Sequence, residues 1–334
     1  MDKTKISHSE TVKVDEPKSI LRNRNEHSPI KKPNKRHHKS ALMNMNTITS
    51  SNKTYILEPE CKSKPCHVVS SPSFKSFKEY TYLEESNIKF RQTMEDCAKI
   101  YDTFNDDPYK SYFSLFDGHG GDEVAKYCSH RLYKIFDKCV QEYKPNIDKA
   151  FKKAFKSLDD EIKKSNKKIE NVGATATIIY ITRESDAMSG TRKVLYCANI
   201  GDTACVLFGS NGCKKLSYDH NCLDDNEIDR IKNEGGTIVN NRLSGKISVT
   251  RSFGDFSMKS KGLTSEPFVN KIALNDSDKF IVLCSDGIWD VVNEEDIFYL
   301  TLNIEQSEPM AKEILKLAIE NGSTDNMSCI VIKL

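Results

Sequence analysis

The sequence lacks a long apolar segment. None of its 334 residues belongs to an uninterrupted apolar run of about 18 residues, the length that a membrane-spanning helix requires. The first ten residues are polar, so we expect no secretory signal peptide. Asp2 stands where N-myristoylation requires a glycine. These absences predict a soluble, cytoplasmic protein that has no membrane partner.

The cysteines do not form a regular framework. There are 11 of them, an odd number, and several lie within apolar runs. In a chain without a signal peptide, this pattern favours reduced, buried thiols over disulfides. Cys61 and Cys66, with His67 beside them, resemble metal ligands. No second pair completes the four ligands of a structural zinc site.

The charges divide the chain into two parts. Residues 1–75 carry 15 Lys and Arg against 7 Asp and Glu, whereas the remainder carries 35 against 41. The first part has too little apolar surface to offset the entropy cost of ordering it. We therefore predict a basic, disordered N-terminal tail over residues 1–77 and one folded domain over residues 78–334.

One stretch of the tail is strongly basic. Residues 29–39 contain five Lys and Arg and two His. Such a run is typical of nuclear import or nucleic-acid binding, but it is also typical of a solvated linker. We favour the linker, so nucleic acid is not an expected partner and the nucleus is an alternative location.

From residue 78 onward, short β-branched runs outnumber amphipathic helices. Val194–Ile200 and Phe280–Cys284 are typical of buried strands. Ile147–Ile169 repeats apolar residues at intervals of three and four, as an amphipathic helix does. Many strands and few helices, not in strict alternation, predict an α+β fold in which antiparallel sheets form a β-sandwich flanked by helices.

Acidic residues recur where these strands end or where glycine marks a turn. They are Glu95, Asp96, Asp117, Asp202, Asp286, Asp290 and Asp325. Each one alone is typical of an ordinary turn. The strands of one sandwich can nevertheless gather their ends on one rim, where a buried cluster of carboxylates requires a cation. Hard oxygen ligands select Mg²⁺ or Mn²⁺.

Two such ions, about 3.5–4 Å apart and joined by a shared carboxylate, are the usual arrangement for in-line displacement at phosphorus. Asp117 is the natural shared ligand, because Gly118 leaves its backbone carbonyl free to turn toward a metal. Arg91 suits a phosphate dianion or an ordinary surface ion pair. His119 lies in a glycine-rich turn, where it can protonate a leaving alkoxide or simply bond a backbone carbonyl.

These residues belong to a series of motifs in a fixed order. The motifs are Arg91-Gln-Thr-Met-Glu95-Asp96, Phe116-Asp117-Gly-His119-Gly-Gly121, Gly173-Ala-Thr-Ala176, Asn199-Ile-Gly-Asp202, Val249-Thr-Arg251-Ser-Phe-Gly-Asp255, Cys284-Ser-Asp286-Gly-Ile-Trp-Asp290 and Asp325-Asn-Met327. Together they closely resemble the protein phosphatase 2C family, the metal-dependent protein serine/threonine phosphatases. The resemblance extends from about residue 78 to the C-terminus.

The resemblance implies two antiparallel sheets packed face to face, with the metals in a cleft at one end. The implied ligands of two Mg²⁺ or Mn²⁺ ions are Asp117, Asp286 and Asp325 for one ion, and Glu95, Asp117 and the Gly118 carbonyl for the other. Asp96 corresponds to a water-orienting carboxylate beside the second ion. Asp202 and Asp290, together with Asp286, correspond to the site of a weaker third metal.

The resemblance also implies an activity. Arg91 corresponds to the phosphate-binding arginine, His119 to the general acid, and residues 219–246 to a mobile flap. The implied reaction is hydrolysis of phosphoserine and phosphothreonine in protein substrates by a hydroxide that bridges the two ions, without a phospho-enzyme, in a monomer. A non-catalytic binding scaffold and a hydrolase of small phosphorylated molecules are the alternatives.

Three stretches depart from the family pattern. This chain has Gly201-Asp202-Thr203-Ala204 where the family commonly has Gly-Asp-Ser-Arg, which bears on the third metal. It has Asp219-His220-Asn221-Cys222 where the family commonly has Asp-His-Lys-Pro, which bears on the flap. It has Lys89-Phe90 before Arg91, where family members often place a glycine close by. None of the three affects the ligands of the two-metal core.

Overall fold

The computed structural model describes residues 67–71, 74–165, 169–186 and 190–334. Within these ranges the chain forms sixteen strands. In chain order they are β1 His67–Ser70, β2 Glu79–Glu85, β3 Cys97–Tyr101, β4 Ser111–Phe116, β5 Gly118–His119, β6 Gly173–Ala174, β7 Ala176–Asp186, β8 Gly190–Ile200, β9 Ala204–Gly209, β10 Gly212–Lys215, β11 Ile238–Val239, β12 Arg242–Leu243, β13 Phe253–Gly254, β14 Phe268–Ala273, β15 Asp278–Cys284 and β16 Met327–Lys333.

The same ranges contain seven α-helices and one short 3₁₀ turn, Phe104–Asp106. The helices are α1 Glu123–Tyr143, α2 Ile147–Ser165, α3 Asp225–Asn233, α4 Phe256–Lys259, α5 Asp286–Trp289, α6 Glu294–Asn303 and α7 Ser307–Glu320. Helix starts follow ordinary capping chemistry. The Asp224 side chain accepts the backbone N–H of Glu227 at the start of α3, and Asn293 and Asp296 form a capping box at α6.

The strands form two large sheets. One has six strands in the order β1-β2-β16-β15-β9-β10, and the other has five in the order β14-β8-β7-β4-β3. Every strand pair in both sheets is antiparallel. A three-stranded sheet, β13-β6-β5, and a hairpin, β11-β12, lie outside them. The antiparallel sheets expected from the sequence are confirmed.

Side chains alternate between the two faces of each large sheet. On β8, Leu195 and Cys197 belong to an apolar cluster that includes residues of both large sheets, such as Ile281 and Ile330. Tyr196, the residue between them, faces the opposite side and packs in the cluster formed with α1 and α2. The inner cluster is therefore the interior of a β-sandwich.

Helices cover both outer faces of the sandwich. Phe136 of α1 stacks on Phe151 of α2, with ring centroids 4.1 Å apart, above the five-stranded sheet. On the other side, Met310 and Ile314 of α7 pack with Val331 of β16. The α+β sandwich flanked by helices is thus confirmed. No helix of the described ranges is long and apolar enough to cross a bilayer.

The folded part begins before the expected boundary at residue 78. Strand β1 pairs with β2 from His67 to Ser70, and the Phe77 side chain is buried against Tyr80 and Phe113. Because this segment pairs with a strand and buries Phe77, the ordered domain begins before residue 78. The expectations for residues 1–66, including the basic run and the Cys61–Cys66 cluster, concern residues outside those described.

The predicted flap, residues 219–246, contains α3, β11 and β12. It has a small apolar cluster of its own, in which Cys222, Ile231 and Leu243 pack with Met258 and Leu263. Cys222 replaces the family's proline and is buried in this cluster, so the departure at this point supplies packing.

Candidate active site

In the five-stranded sheet, two of the predicted motifs meet because β3 and β4 are antiparallel. Phe116, the last residue of β4, pairs with Cys97, the first residue of β3. Asp117 follows Phe116 and Asp96 precedes Cys97, so both carboxylates leave the sheet at the same end. Asp202 joins them at that end, because it follows β8, whose last residue pairs with the first residue of β7.

The six-stranded sheet brings a second set together in the same way. Cys284, the last residue of β15, pairs with Cys329 of β16. Asp286 lies two residues after β15, and Asp325 lies two residues before β16. Residues separated by about 40 positions in sequence therefore emerge side by side.

Asp117 and Asp286 connect the two sheets. Their side chains are hydrogen-bonded to each other, although each follows a strand of a different sheet. Burial, the charge of Asp286 and this hydrogen bond raise the pKa of Asp117 well above its usual range. Burial and the charge of Asp325 raise the pKa of Asp286 as well. Two buried carboxyls held this close together favour a cation beside them.

Asp96 is buried near this pair, with 4% of its surface exposed. The Ser285 hydroxyl donates to its Oδ2 at 2.9 Å. Burial, opposed by the hydrogen bond from Ser285, raises the pKa of Asp96 to about 7, and the charges of Asp286 and Asp325 add to the shift. This carboxyl can therefore exchange a proton near neutral pH.

Glu95 is fixed mainly through its backbone. Its N–H donates to Oδ1 of Asn326 at 2.9 Å, and its carboxylate accepts the Thr93 hydroxyl at 3.0 Å and the Gly121 N–H at 3.3 Å. A methyl group on Gly118 would lie 2.6 Å from the Glu95 carbonyl oxygen. Glycine at position 118 is thus what lets the Asp117 turn approach the Glu95 backbone.

Arg91 forms an ion pair with Asp325. The structure therefore places the predicted phosphate-binding residue beside a predicted metal ligand. The Arg91 side chain is 52% exposed and that of Asp325 is 34% exposed, so solvent screens the pair. The guanidinium lies at the mouth of the carboxylate cluster and remains accessible to a dianion.

The residues predicted for a third metal lie at the edge of the cluster. Burial raises the pKa of Asp202 to about 7, with further contributions from the charges of Asp286, Asp290 and Asp219. Burial and the charges of Asp325 and Asp219 raise the pKa of Asp290. These shared influences show that Asp202 and Asp290 both lie near Asp286.

His119 is held by a residue to which the sequence analysis assigned no role. Its Nε2 lies 2.6 Å from Oδ2 of Asp255, a residue that is 1% exposed. A methyl group on Gly173 would lie 2.5 Å from the same Nε2, so the close approach requires glycine. Burial alone would lower the pKa of His119, but the hydrogen bond and charge of Asp255 and the charges of Asp202 and Glu95 raise it.

The donors of this end of the sandwich fit hard divalent cations. They are carboxylate and carbonyl oxygens, and the raised pKa values of the carboxyls reflect burial and the charges of neighbouring carboxylates, both of which a cation would offset. Within the described ranges, no three His, Cys, Asp or Glu side chains already have the geometry of a metal site. Asp325 instead pairs with Arg91, and Asp117 interacts with Asp286.

Comparisons with known proteins show which family the chain resembles. The sequence profile of the family described as Protein phosphatase 2C matches residues 80–327. The chain belongs to the protein phosphatase 2C family. It is therefore a phosphatase of the 2C type, a hydrolase that acts on phosphoproteins.

Curated relatives of this phosphatase include two yeast proteins. Protein phosphatase 2C homolog 1 of Saccharomyces cerevisiae is 32% identical over 258 residues, which cover 75% of this chain and 91% of the yeast protein. Protein phosphatase 2C homolog 1 of Schizosaccharomyces pombe is 31% identical over 254 residues, which cover 75% of this chain and 72% of that protein.

Solved structures share the fold of this phosphatase. The crystal structure of a phosphatase from a pathogenic strain of Toxoplasma gondii superposes with a TM-score of 0.66 at 20% identity, covering 78% of this chain and 95% of that one. At this identity the likeness concerns the fold. The predicted family and fold are both confirmed.

Two features of the phosphatase site were missed by reasoning from the sequence. Asp255 is the last residue of the motif that begins at Val249. Its bond to His119, 136 positions away in sequence, leaves no local signal. Asn326 donates to the carbonyls of Ser86 and Thr93 at 2.8 and 3.0 Å. It thereby ties the Arg91 loop to the Asp325 loop.

The departure at Thr203 preserves the turn that carries Asp202. The Thr203 hydroxyl bonds the Thr175 hydroxyl at 2.6 Å, and its carbonyl accepts the Thr177 hydroxyl at 2.6 Å. Thr203 is fully buried. The Asp202 turn therefore keeps internal hydrogen bonds at this position.

Proposed function

We propose that this phosphatase hydrolyses phosphoserine and phosphothreonine monoesters in protein substrates with the help of two Mg²⁺ or Mn²⁺ ions. The observation that supports this most strongly is the Asp117–Asp286 hydrogen bond, which joins two sheets inside a cluster of carboxylates with raised pKa values. Carboxylates so arranged gain stability when a divalent cation offsets their mutual repulsion.

The chain's own oxygens would divide between the two ions. Asp117, Asp286 and Asp325 would hold one ion, and Glu95, Asp117 and the Gly118 carbonyl would hold the other. A third, weaker ion would use Asp202 and Asp290 with Asp286. When bound, the ions would supply a water of lowered pKa and neutralise charge that develops on the phosphoryl group.

Asp96 would orient the attacking water and accept a proton from it, because the Ser285 hydroxyl holds its carboxylate in place. As the water oxygen bonds to phosphorus, the bond from phosphorus to the serine or threonine oxygen breaks in line. No protein side chain becomes phosphorylated. This scheme needs no nucleophile other than water.

Arg91 would bind the phosphate dianion with its planar guanidinium. To do so, it would exchange its carboxylate partner, Asp325, for the phosphate. An exposed ion pair of this kind contributes only about 0–1 kcal/mol, so the exchange costs little.

His119 would protonate the leaving oxygen. Asp255 bonds Nε2 and raises the pKa of the imidazole, which favours the protonated ring. The proton on Nδ1 would then pass to the serine or threonine oxygen as the P–O bond breaks. Asp255 would act as a positioning residue for this transfer.

A non-catalytic scaffold is the alternative function, and the retention of every predicted carboxylate argues against it. We also propose that the enzyme acts as a monomer in the cytoplasm, without a membrane or nucleic-acid partner. If residues 29–39 direct nuclear import, a fusion of residues 1–75 to an inert reporter should concentrate in nuclei. A diffuse signal would reject import.

The test is hydrolysis of a phosphothreonine peptide by the purified full-length chain, with phosphate release as the readout. We expect turnover with Mn²⁺ or Mg²⁺, none after EDTA treatment, and recovery when the ion is restored. Turnover that survives EDTA would refute the metal assignment. The absence of turnover at any metal concentration would favour the scaffold.

A further inference from the structure

The loop that carries Arg91 exposes two large apolar side chains. Among the large apolar residues of the described ranges, Ile88 is the most exposed, at 82%, and Phe90 is 52% exposed. Both lie within three residues of Arg91. Isolated exposed apolar residues are common on protein surfaces, but two beside one binding residue indicate a contact surface.

The loop is held in place, so this exposure belongs to a defined conformation. Asn87 has a left-handed backbone, with φ 52°, and its carbonyl accepts the N–H groups of Phe90 and Arg91 at 2.8 and 3.1 Å. The Asn87 side-chain amide donates to the carbonyls of Ser323 and Asp325 at 2.9 and 3.2 Å. A tight turn tied to a neighbouring loop thus presents the side chains of residues 88–90 to solvent.

The fold uses little of the Ile88 surface and about half of the Phe90 surface. Packing does not use most of the Ile88 surface, and polar side chains would fit the same turn. The Lys89 ammonium lies 5.3 Å from the centre of the Phe90 ring, which leaves a face of mixed apolar and cationic character. Such a face suits an apolar side chain attached to an anionic peptide.

We propose that Ile88 and Phe90 contact an apolar side chain that flanks the phosphorylated residue of the substrate. The occupant is a phosphopeptide with Leu, Ile, Met or Phe within about three positions of its phosphothreonine, since each extended residue spans only about 3.3–3.6 Å. This inference rests on the proposed function, in which Arg91 binds the phosphate. The contact surface and the phosphate site are continuous along one loop.

The experiment compares phosphothreonine peptides that are identical except for Leu or Ser at one position between −3 and +3. The readout is the ratio of kcat/KM for the Leu peptide to that for the Ser peptide. For the unmodified chain we expect a preference for Leu of about three- to tenfold at one or more positions, as partial burial of one aliphatic side chain provides. The double variant Ile88→Ser/Phe90→Ser should bring the ratio close to one.

Leu302→Ser is the matched control. Leu302 is 53% exposed, as Phe90 is, but it belongs to α6, which carries none of the predicted site residues. This variant should keep the preference for Leu. Thermal unfolding of all variants checks that the serine substitutions leave the fold intact.

The possible results separate this inference from the proposed function. A chain that hydrolyses phosphothreonine peptides with no preference for Leu, or whose preference survives in the double variant, would overturn the inference and leave the function intact. A chain that hydrolyses p-nitrophenyl phosphate but no phosphothreonine peptide would overturn the proposed function and the inference with it.

Discussion

Replacing Asp255 by Asn should slow hydrolysis most for substrates whose leaving group needs a proton. Asp255 is buried, accepts the Ser252 hydroxyl at 2.7 Å and holds Nε2 of His119 at 2.6 Å. Asn keeps the shape but removes the charge that favours a protonated imidazole. A threonine alkoxide must be protonated as it leaves, whereas p-nitrophenolate is stable without a proton at neutral pH.

The expected size of the effect follows from the hydrogen bond that is weakened. A hydrogen bond to a charged group contributes about 1.5–3 kcal/mol, which corresponds to a factor of about 10–150 in rate. We expect kcat for a phosphothreonine peptide to fall by a factor in this range in Asp255→Asn. For p-nitrophenyl phosphate the decrease should be less than about threefold, since general-acid catalysis contributes little there.

Asp159→Asn is the control for loosening of the same loop. Asp159 accepts the Gly254 N–H at 3.0 Å and pairs with Lys259 at 2.9 Å, without any contact to His119. It should lower the melting temperature and leave the ratio of the two activities unchanged. The positioning role of Asp255 would be refuted if Asp255→Asn lowered kcat equally for both substrates. It would also be refuted if Asp159→Asn changed the ratio of the two activities as much as Asp255→Asn does.

Three other substitutions give independent tests. Arg91→Ala should raise KM for a phosphothreonine peptide about tenfold or more and leave Mn²⁺ binding unchanged, as calorimetry can check; an unchanged KM would contradict its phosphate-binding role. Gly173→Ala should lower kcat by up to about 100-fold, because the added methyl displaces His119; wild-type turnover would contradict this. Burial would raise the pKa of Glu227, but hydrogen bonds from Arg251 and Arg230 hold this pKa well below its usual range. Its ionised form therefore stabilises the fold at neutral pH, and this contribution is lost as the pH falls below about 4.3, the usual Glu value. In urea unfolding, Glu227→Gln should be less stable than the unmodified chain by about 2 kcal/mol at pH 7; a difference that does not shrink at acid pH would refute the sign.

The acidic residues at strand ends were the part of the site that the sequence could predict. Asp117 and Asp286 each follow a short apolar run, and antiparallel pairing within a sandwich brings such ends to one rim. The period-two pattern of these runs fixes which side chains face the interior. Local sequence therefore carried both the fold class and the positions of the carboxylates.

Contacts between distant loops were not predictable in this way. The partner of His119 lies in the segment that follows the flap, and the partner of Arg91 precedes the last strand. Neither pairing leaves a periodic signal, because each depends on how loops of different sheets pack. Strand β1 was missed because its four residues lie beside polar, basic sequence. It is a strand because it pairs with β2, and local composition gives no sign of that pairing.

Mn²⁺ binding, measured by calorimetry, tests most directly whether the strand-end carboxylates form a metal centre. The unmodified chain should bind at least two ions, and Asp286→Asn, which removes a carboxylate from the pair that joins the two sheets, should bind fewer or bind them more weakly. An unmodified chain with no saturable Mn²⁺ binding, or a variant that binds Mn²⁺ as the unmodified chain does, would contradict the assignment.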